Sequence, residues 1–365
     1  METQPAQRYK DLLLEMLHIT NKEGASDLHI VADSLPIIRV NGELVRIEHM
    51  NVITKDEAYG ICEYITSDFI DKNVKDCYEL DLAFGIEDLG RYRLNIYKQQ
   101  DSLALAIRSL PLGIRDFKQL GIPLAVSRLA YKNNGLVLVT GPTGSGKSTT
   151  LAALLDLINQ DRSCHIITIE DPIEYIYDHK SSLVTQREIG RDTKTFSDAL
   201  RAAMREDPDV ILVGEMRDEE TIQIALTAAE TGHLVFSTLH TVGAAKTIDR
   251  IVDTFESGKQ NQIRSQLSTV LQGVVSQVLI PRLDNQGRVL ACEIMFNTPA
   301  IRNLIREGKP HQIANVMQTS INLDMITLDN DLIRLFKTKT ISYDKAVSNA
   351  QNPQTVLNAI GERRV

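Results

Sequence analysis

The sequence predicts an α/β protein of two domains, a smaller α+β unit followed by a larger one built on a parallel sheet with crossover helices. Three observations lead there. Up to about residue 110, short alternating apolar runs come in pairs joined by tight turns, the pattern of hairpins. Beyond residue 123, β-branched runs ending in polar residues alternate with longer helical segments, the order that a parallel sheet requires. Between them, LPLGIRDFKQLGIP (110–123) gathers Pro111, Gly113, Gly121 and Pro123 into a stretch rich in structure breakers. The expected division is therefore an N-terminal domain (1–110), a linker (111–123) and a C-terminal domain (124–365).

The first domain opens with a helix over about 8–20, in which Leu12, Leu13, Met16 and Leu17 recur at helical spacing and give one apolar face. SDLHIVA and the pair PIIRV and ELVRI read as strands, with Asn41-Gly42 as the favoured two-residue hairpin turn. After a helix-like stretch over about 55–74 come RYRLNIYKQ and LALAIRSL. In the former, Tyr92, Leu94 and Ile96 alternate with Arg91, Arg93 and Asn95, which is the period of a strand with one buried face. In the second domain GLVLVT, HIITIE, DVILVGE and HLVFSTLH read as the parallel strands, and from about 275 the pattern reads as mainly helical.

Composition narrows the function classes. The balance of 48 acidic to 40 basic residues gives a formal charge of −8 over 365 residues, which argues against a nucleic-acid partner and leaves only a local basic patch open. Cys62, Cys77, Cys164 and Cys292 lie far apart without zinc-like spacing, as expected of thiols in a reducing compartment. The N-terminal apolar run is interrupted by Glu15, and no stretch of 18 apolar residues occurs, so a cytoplasmic protein is expected.

The chemistry concentrates in the second domain. Gly141, Pro142, Thr143, Gly144, Ser145, Gly146, Lys147 and Ser148 satisfy GxxxxGK[ST], with Thr149 continuing into the helix, between the strand LVLVT and a helix beginning near Ser148. Glycines at those positions let backbone N–H groups curl around phosphates. Lys147 reaches the β- and γ-phosphates and Ser148 offers a hydroxyl to Mg²⁺, so ATP and Mg²⁺ are the expected ligands.

Three further strands end on polar residues, at the edge where open parallel sheets bind ligands. HIITIE ends on Glu170 and Asp171, DVILVGE on Glu215, and HLVFSTLH on His240. A carboxylate beside the γ-phosphate can deprotonate the attacking water, and Glu215 is the expected base; His240 is placed to sense the γ-phosphate. Plainer roles stay open on residue type alone. Glu215 also precedes a helix whose macrodipole favours an acid, Glu170, Asp171 and Glu174 also suit an acidic turn, and His233 and His240 also suit satisfied structural histidines.

With these residues in view, the chain resembles the secretion ATPases of type IV pili and type II secretion. GPTGSGKST (141–149), IEDPIEY (169–175), DVILVGEMRD (209–218) and TGHLVFSTLHT (231–241) are similar to that family's Walker A, acidic, Walker B and histidine boxes, in the same order. SDLHI and ALRAAMREDPD are also similar, so the likeness runs over nearly the whole chain. It implies a RecA-like P-loop ATPase domain with a smaller PAS-like N-terminal domain, assembled into a homohexameric ring. It also implies arginines of the N-terminal domain completing the nucleotide site, for which Arg93 and Arg108 are the candidates and Arg91 a third. The implied partner is the inner-membrane platform protein of a pilus, met peripherally at the cytoplasmic face.

Two features bear on which motor of the family this is. The chain has no four-cysteine zinc insertion and little length before SDLHI, unlike assembly and secretion members. AIRNLIRE (300–307) is similar to the signature of the retraction branch. On spacing alone that segment is an amphipathic packing helix, with Ile301, Leu304 and Ile305 on one face between Thr298-Pro299 and Gly308. The expected function is thus an ATP-driven pilus-retraction motor; a pilus-assembly or type II secretion ATPase, or an accessory paralogue without motor activity, is the alternative.

Overall fold

The computed structural model describes residues 4–67, 74–111 and 113–361. These described residues form two compact units, one of those up to 113 with Pro172–Tyr175, the other of 114–171 with 176–361. The architecture is α/β with two separate sheets.

The first unit holds a six-stranded antiparallel sheet in the order β3-β2-β1-β6-β5-β4. Its strands are β1 (Asp27–Val31), β2 (Ile37–Val40), β3 (Glu43–Arg46), β4 (Glu79–Ile86), β5 (Gly90–Gln99) and β6 (Ser102–Ser109). Asn41 and Gly42 both take positive φ between β2 and β3, as the hairpin turn requires. Helix α1 (Gln4–Lys22) buries Leu13, Met16 and Leu17 completely, and α2 (Lys55–Thr66) begins in a reciprocal cap between Thr54 and Glu57. The helical stretch expected over 55–74 is thus helix up to Thr66; 68–73 lie outside the described residues, as does Leu112 of the expected linker. Along β5, Tyr92, Leu94 and Ile96 are buried in a shared core with Leu28, Ile61 and Leu105. Strand β4 was not anticipated, although Leu80, Leu82 and Phe84 alternate with Asp81 and Ala83 in the manner of its neighbour.

The second unit begins with a short helix, α3 (Phe117–Leu120), capped at its start by Asp116 and ended by Gly121 at φ 67°. A helical turn therefore occupies part of the expected linker. Its sheet has seven strands in the order β13-β12-β7-β11-β10-β8-β9. These are β7 (Gly135–Thr140), β8 (His165–Glu170), β9 (Leu183–Glu188), β10 (Val210–Val213), β11 (Leu234–Leu239), β12 (Leu271–Pro281) and β13 (Arg288–Phe296). All neighbours run parallel except the β12–β13 hairpin. Strands β7, β10 and β11 are buried at every position, as expected of strands covered on both faces.

Helices α4 (Lys147–Asp161), α5 (Phe196–Ala203), α6 (Glu219–Glu230), α7 (Ala244–Asp253), α8 (Gln260–Val270), α9 (Pro299–Arg306) and α10 (Ile313–Thr319) follow the strands. A single large core joins Leu136, Ile167, Ile211 and Val235 of the sheet to Leu200, Leu226, Ile248 and Ile305 of the helices. The mainly helical region expected from about 275 in fact starts after β13. Helices α11 (Leu328–Lys337), α12 (Tyr343–Ser348) and α13 (Pro353–Ile360) then close a smaller core with Ile280 and Ala291 of the hairpin. No helix among the described residues is long and apolar enough to cross a membrane.

Candidate active site

Because β7, β11, β10 and β8 are adjacent and parallel, their C-terminal ends lie in a row along one edge of the sheet. That row brings together the glycine loop after β7, His240 after β11, Glu215 after β10 and Glu170 at the end of β8.

The loop 141–146 turns from β7 into α4, whose N-cap is Gly146 in the left-handed conformation at φ 87°. No side chain caps α4 and its first turn holds no acid, whereas α5, α6 and α9 each start on a capping side chain. An uncapped helix start of this kind presents amide donors and a positive dipole end to an anion. Gly141 lies against β12, so a β-carbon there would come within 2.2 Å of the Gln277 carbonyl oxygen. The Gln277 amide in turn donates to the Ser145 carbonyl at 2.8 Å. The Lys147 ammonium folds back onto the loop, donating to the carbonyls of Gly141 at 2.9 Å and Pro142 at 3.2 Å. Ser148 follows it in the first turn of α4 and is half-buried.

Glu215 is held from two sides. Arg217 donates to its Oε2 at 2.8 Å, and His240 Nε2 stands 3.3 Å from its Oε1. The other ring nitrogen of His240 lies 3.4 Å from Thr143 Oγ1, so His240 links the phosphate loop to Glu215. Glu170 accepts from Thr168 Oγ1 at 2.7 Å and lies 3.4 Å from the Gln186 amide of β9, while Asp171 beyond it is exposed. These partners turn Glu170 along its own sheet, next to Glu215 but separately held.

His233 is not brought to this edge. It precedes β11, at the opposite end of that strand from His240, and its Nδ1 meets the Ala228 carbonyl at 2.9 Å at the end of α6. The nearness of the two histidines in sequence is spanned by a fully extended strand, so within the second unit His233 serves the α6–β11 turn.

Arg93 and Arg108 belong to the first unit, directly opposite one another in the β5–β6 ladder and therefore on one face. Arg108 donates through Nε to Asp27 Oδ1 at 2.8 Å, and the Ser26 hydroxyl donates to Asp27 Oδ2 at 2.7 Å. Burial pushes the Asp27 carboxyl up, but the bonds from Ser26 and Arg108 outweigh it and hold the group below its ordinary value. Asp27, Asp81, Arg93, Asn95 and Arg108 line a cavity of about 220 Å³ on that face. Arg91, two residues before Arg93 on β5, donates to the Ile173 carbonyl at 3.2 Å. Gln277, Thr168 and Asp27 were missed in sequence; a Ser-Gln pair inside the otherwise apolar run VVSQVLI was the available signal for the first.

Residues 4–307 match the family described as type II/IV secretion system protein. The chain is 48% identical over 342 residues to the type IV pilus retraction ATPase PilT of Pseudomonas aeruginosa, covering 94% of this chain and 99% of that one. It is 44% identical to a twitching motility protein of Neisseria gonorrhoeae, over 94% of this chain and 92% of that one. Among solved structures, the pilus retraction motor PilT with bound ADP superposes with a TM-score of 0.88 at 46% identity, over 94% of this chain and 98% of that one.

Proposed function

Since the chain belongs to the type II/IV secretion system protein family, we propose that it is an ATPase motor that works as a homohexameric ring to retract a type IV pilus. The observation that carries the reading is the row at the sheet edge, where an uncapped helix start with Lys147 faces a Glu215–His240 pair held on the next two strands. The similarity to a retraction ATPase over almost the full length of both chains supports the direction of work.

In this reading the amides of 143–148 and the Lys147 ammonium bind the β- and γ-phosphates of ATP. Mg²⁺, which the Ser148 hydroxyl and phosphate oxygens would hold, supplies positive charge against the phosphates. Glu215 takes a proton from the attacking water as the water oxygen bonds to the γ-phosphorus and the bond to ADP breaks, so that phosphate and ADP leave and the carboxyl carries the proton. His240, bridging Thr143 and Glu215, signals whether a γ-phosphate is present. Glu170 and Asp171 orient the water shell. Arg93 and Arg108, presented on one face of the first unit, offset charge in the transition state when the ring closes a site. The motor acts from the cytoplasmic face of the inner membrane on the platform protein of the pilus, with no nucleic acid involved.

The reading is tested by phosphate release from ATP by the purified full-length chain, with its size measured in solution. Turnover by a six-subunit species, lost in Glu215→Gln with the ring retained, is expected. Binding of ATP without turnover in the wild type would refute a motor and leave a nucleotide-binding regulator.

A further inference from the structure

Glu293, in the middle of β13, is a carboxylate almost wholly removed from water, with only 5% of its surface exposed. Its partners are all neutral donors. Oε1 accepts the Ala244 N–H at 2.7 Å; Oε2 accepts the Leu328 N–H at 3.3 Å and the Gln351 side-chain amide at 3.1 Å. Burial raises its carboxyl above the ordinary value in spite of these three bonds. A buried acid is among the costliest groups a core can hold, and a residue of the same size without charge would fill the space.

The three donors identify what the carboxylate joins. Ala244 is the first residue of α7, whose N-cap Gly243 brings no capping side chain of its own. The Gly243 N–H is taken instead by the Ser276 hydroxyl at 2.8 Å, and Ser276 pairs directly with Glu293 across β12 and β13. Two neighbouring side chains of the hairpin therefore grip two consecutive amides. Those amides end the loop that carries His240, which at its other end leaves β11 at Leu239. On its far side the carboxylate meets Leu328, the first residue of α11, and Gln351, whose backbone N–H is held by Asp329 Oδ1 at 2.7 Å. The Gln351 amide also closes over Gly243, where a β-carbon would come within 2.7 Å of it.

We propose that Glu293, with Ser276, is a positioning residue for ATP turnover: it fixes the loop that sets His240 between Thr143 and Glu215 and ties that loop to the start of α11 and to Gln351, ahead of α13. The inference rests on the reading of His240 given above. Glutamine in this position keeps the volume but replaces one acceptor oxygen with a donor that faces donors, so the grip fails on one side. Displacement of a group beside the reacting phosphate by about 1 Å can cost up to 10²-fold in rate.

The test is a double-mutant cycle on the purified full-length chain, with steady-state ATP turnover, ADP affinity and thermal melting measured for wild type, Glu293→Gln, His240→Ala and the double variant. Expected are a fall of roughly tenfold or more in kcat for Glu293→Gln, ADP affinity within about twofold of wild type, and no further loss of kcat when Glu293→Gln is added to His240→Ala. An unchanged kcat in Glu293→Gln, or the same fold loss with and without His240, would overturn the proposal and leave a purely structural carboxylate. A wild-type kcat in His240→Ala would instead sink the reading of His240. If Glu293→Gln does not fold, Ser276→Ala takes its place in the same cycle, with the same non-additivity expected and full additivity overturning the proposal.

Discussion

Replacing Gly141 by alanine tests whether β12 closes the back of the phosphate loop. Gly141 sits at φ 144°, and a β-carbon there would lie 2.2 Å from the Gln277 carbonyl oxygen and 2.6 Å from Ser145 Oγ. Even a close carbon–oxygen contact stands about 3.3 Å apart, so loop and strand must separate by roughly 1 Å. Neither yields easily. The Gly141 N–H is bonded to the Leu239 carbonyl, Gln277 is bonded to Ser145, and β12 is paired with β7 along this stretch. Overpacking costs about 1–3 kcal/mol, and alanine forced into such a backbone conformation about 1–3 kcal/mol more. The expected loss of about 2–6 kcal/mol amounts to a fall on the order of 10 °C in melting temperature for a domain of this size. Gly144 is the built-in comparison: its φ is 75°, but nothing lies within 4 Å of where its β-carbon would stand. Only left-handed strain of about 1 kcal/mol remains there, a shift of about 2–4 °C. Thermal melting of the two full-length variants without nucleotide compares them directly. Equal shifts, or a larger one for Gly144→Ala, would refute the reasoning.

Further expectations follow from the same contacts. Glu215→Gln keeps the size of the side chain but removes the base, and kcat for ATP is expected to fall about 10²–10⁴-fold in a phosphate-release assay. Asp27 titrates lower in the folded than in the unfolded chain, so its contribution is present above the unfolded value of about 3.9 and lost as pH falls through the folded one. Melting temperatures of Asp27→Asn between pH 3 and 6 should accordingly fall less steeply on the acid side than those of wild type. Thr298 accepts the Ile301 N–H at the start of α9, and Thr298→Ala should cost about 1 kcal/mol in urea unfolding. Phe236 is fully buried at the centre of the larger sheet, and Phe236→Ala should cost about 3–5 kcal/mol in the same measurement.

What could be read in the chain was what is written locally. The glycine loop, its flanking strand and helix, and the polar residues closing three strands are each contained in ten residues or so, and parallel adjacency then puts them at one edge. The hairpin of Asn41-Gly42 is legible for the same reason. Strands β12 and β13 were hidden because LQGVVSQVLI and RVLACEIMF are short apolar runs, for which period alone does not separate a buried strand from a buried helix. Contacts made across the sheet were beyond local pattern altogether. Asp27 meets Arg108 from 81 residues away, and Glu293 reaches Ala244 from 49. The placing of His233 was within reach, since the two ends of a parallel strand lie on opposite edges of its sheet.

The central claim, that ATP hydrolysis at this row of residues retracts a pilus, is tested most directly in cells that carry the gene as their only copy, by measuring retraction with wild type and with Glu215→Ala. The account predicts retraction with wild type and none with Glu215→Ala at equal protein level, with pili still extended. Normal retraction with Glu215→Ala, or in a deletion strain, would contradict it and favour an accessory or assembly role.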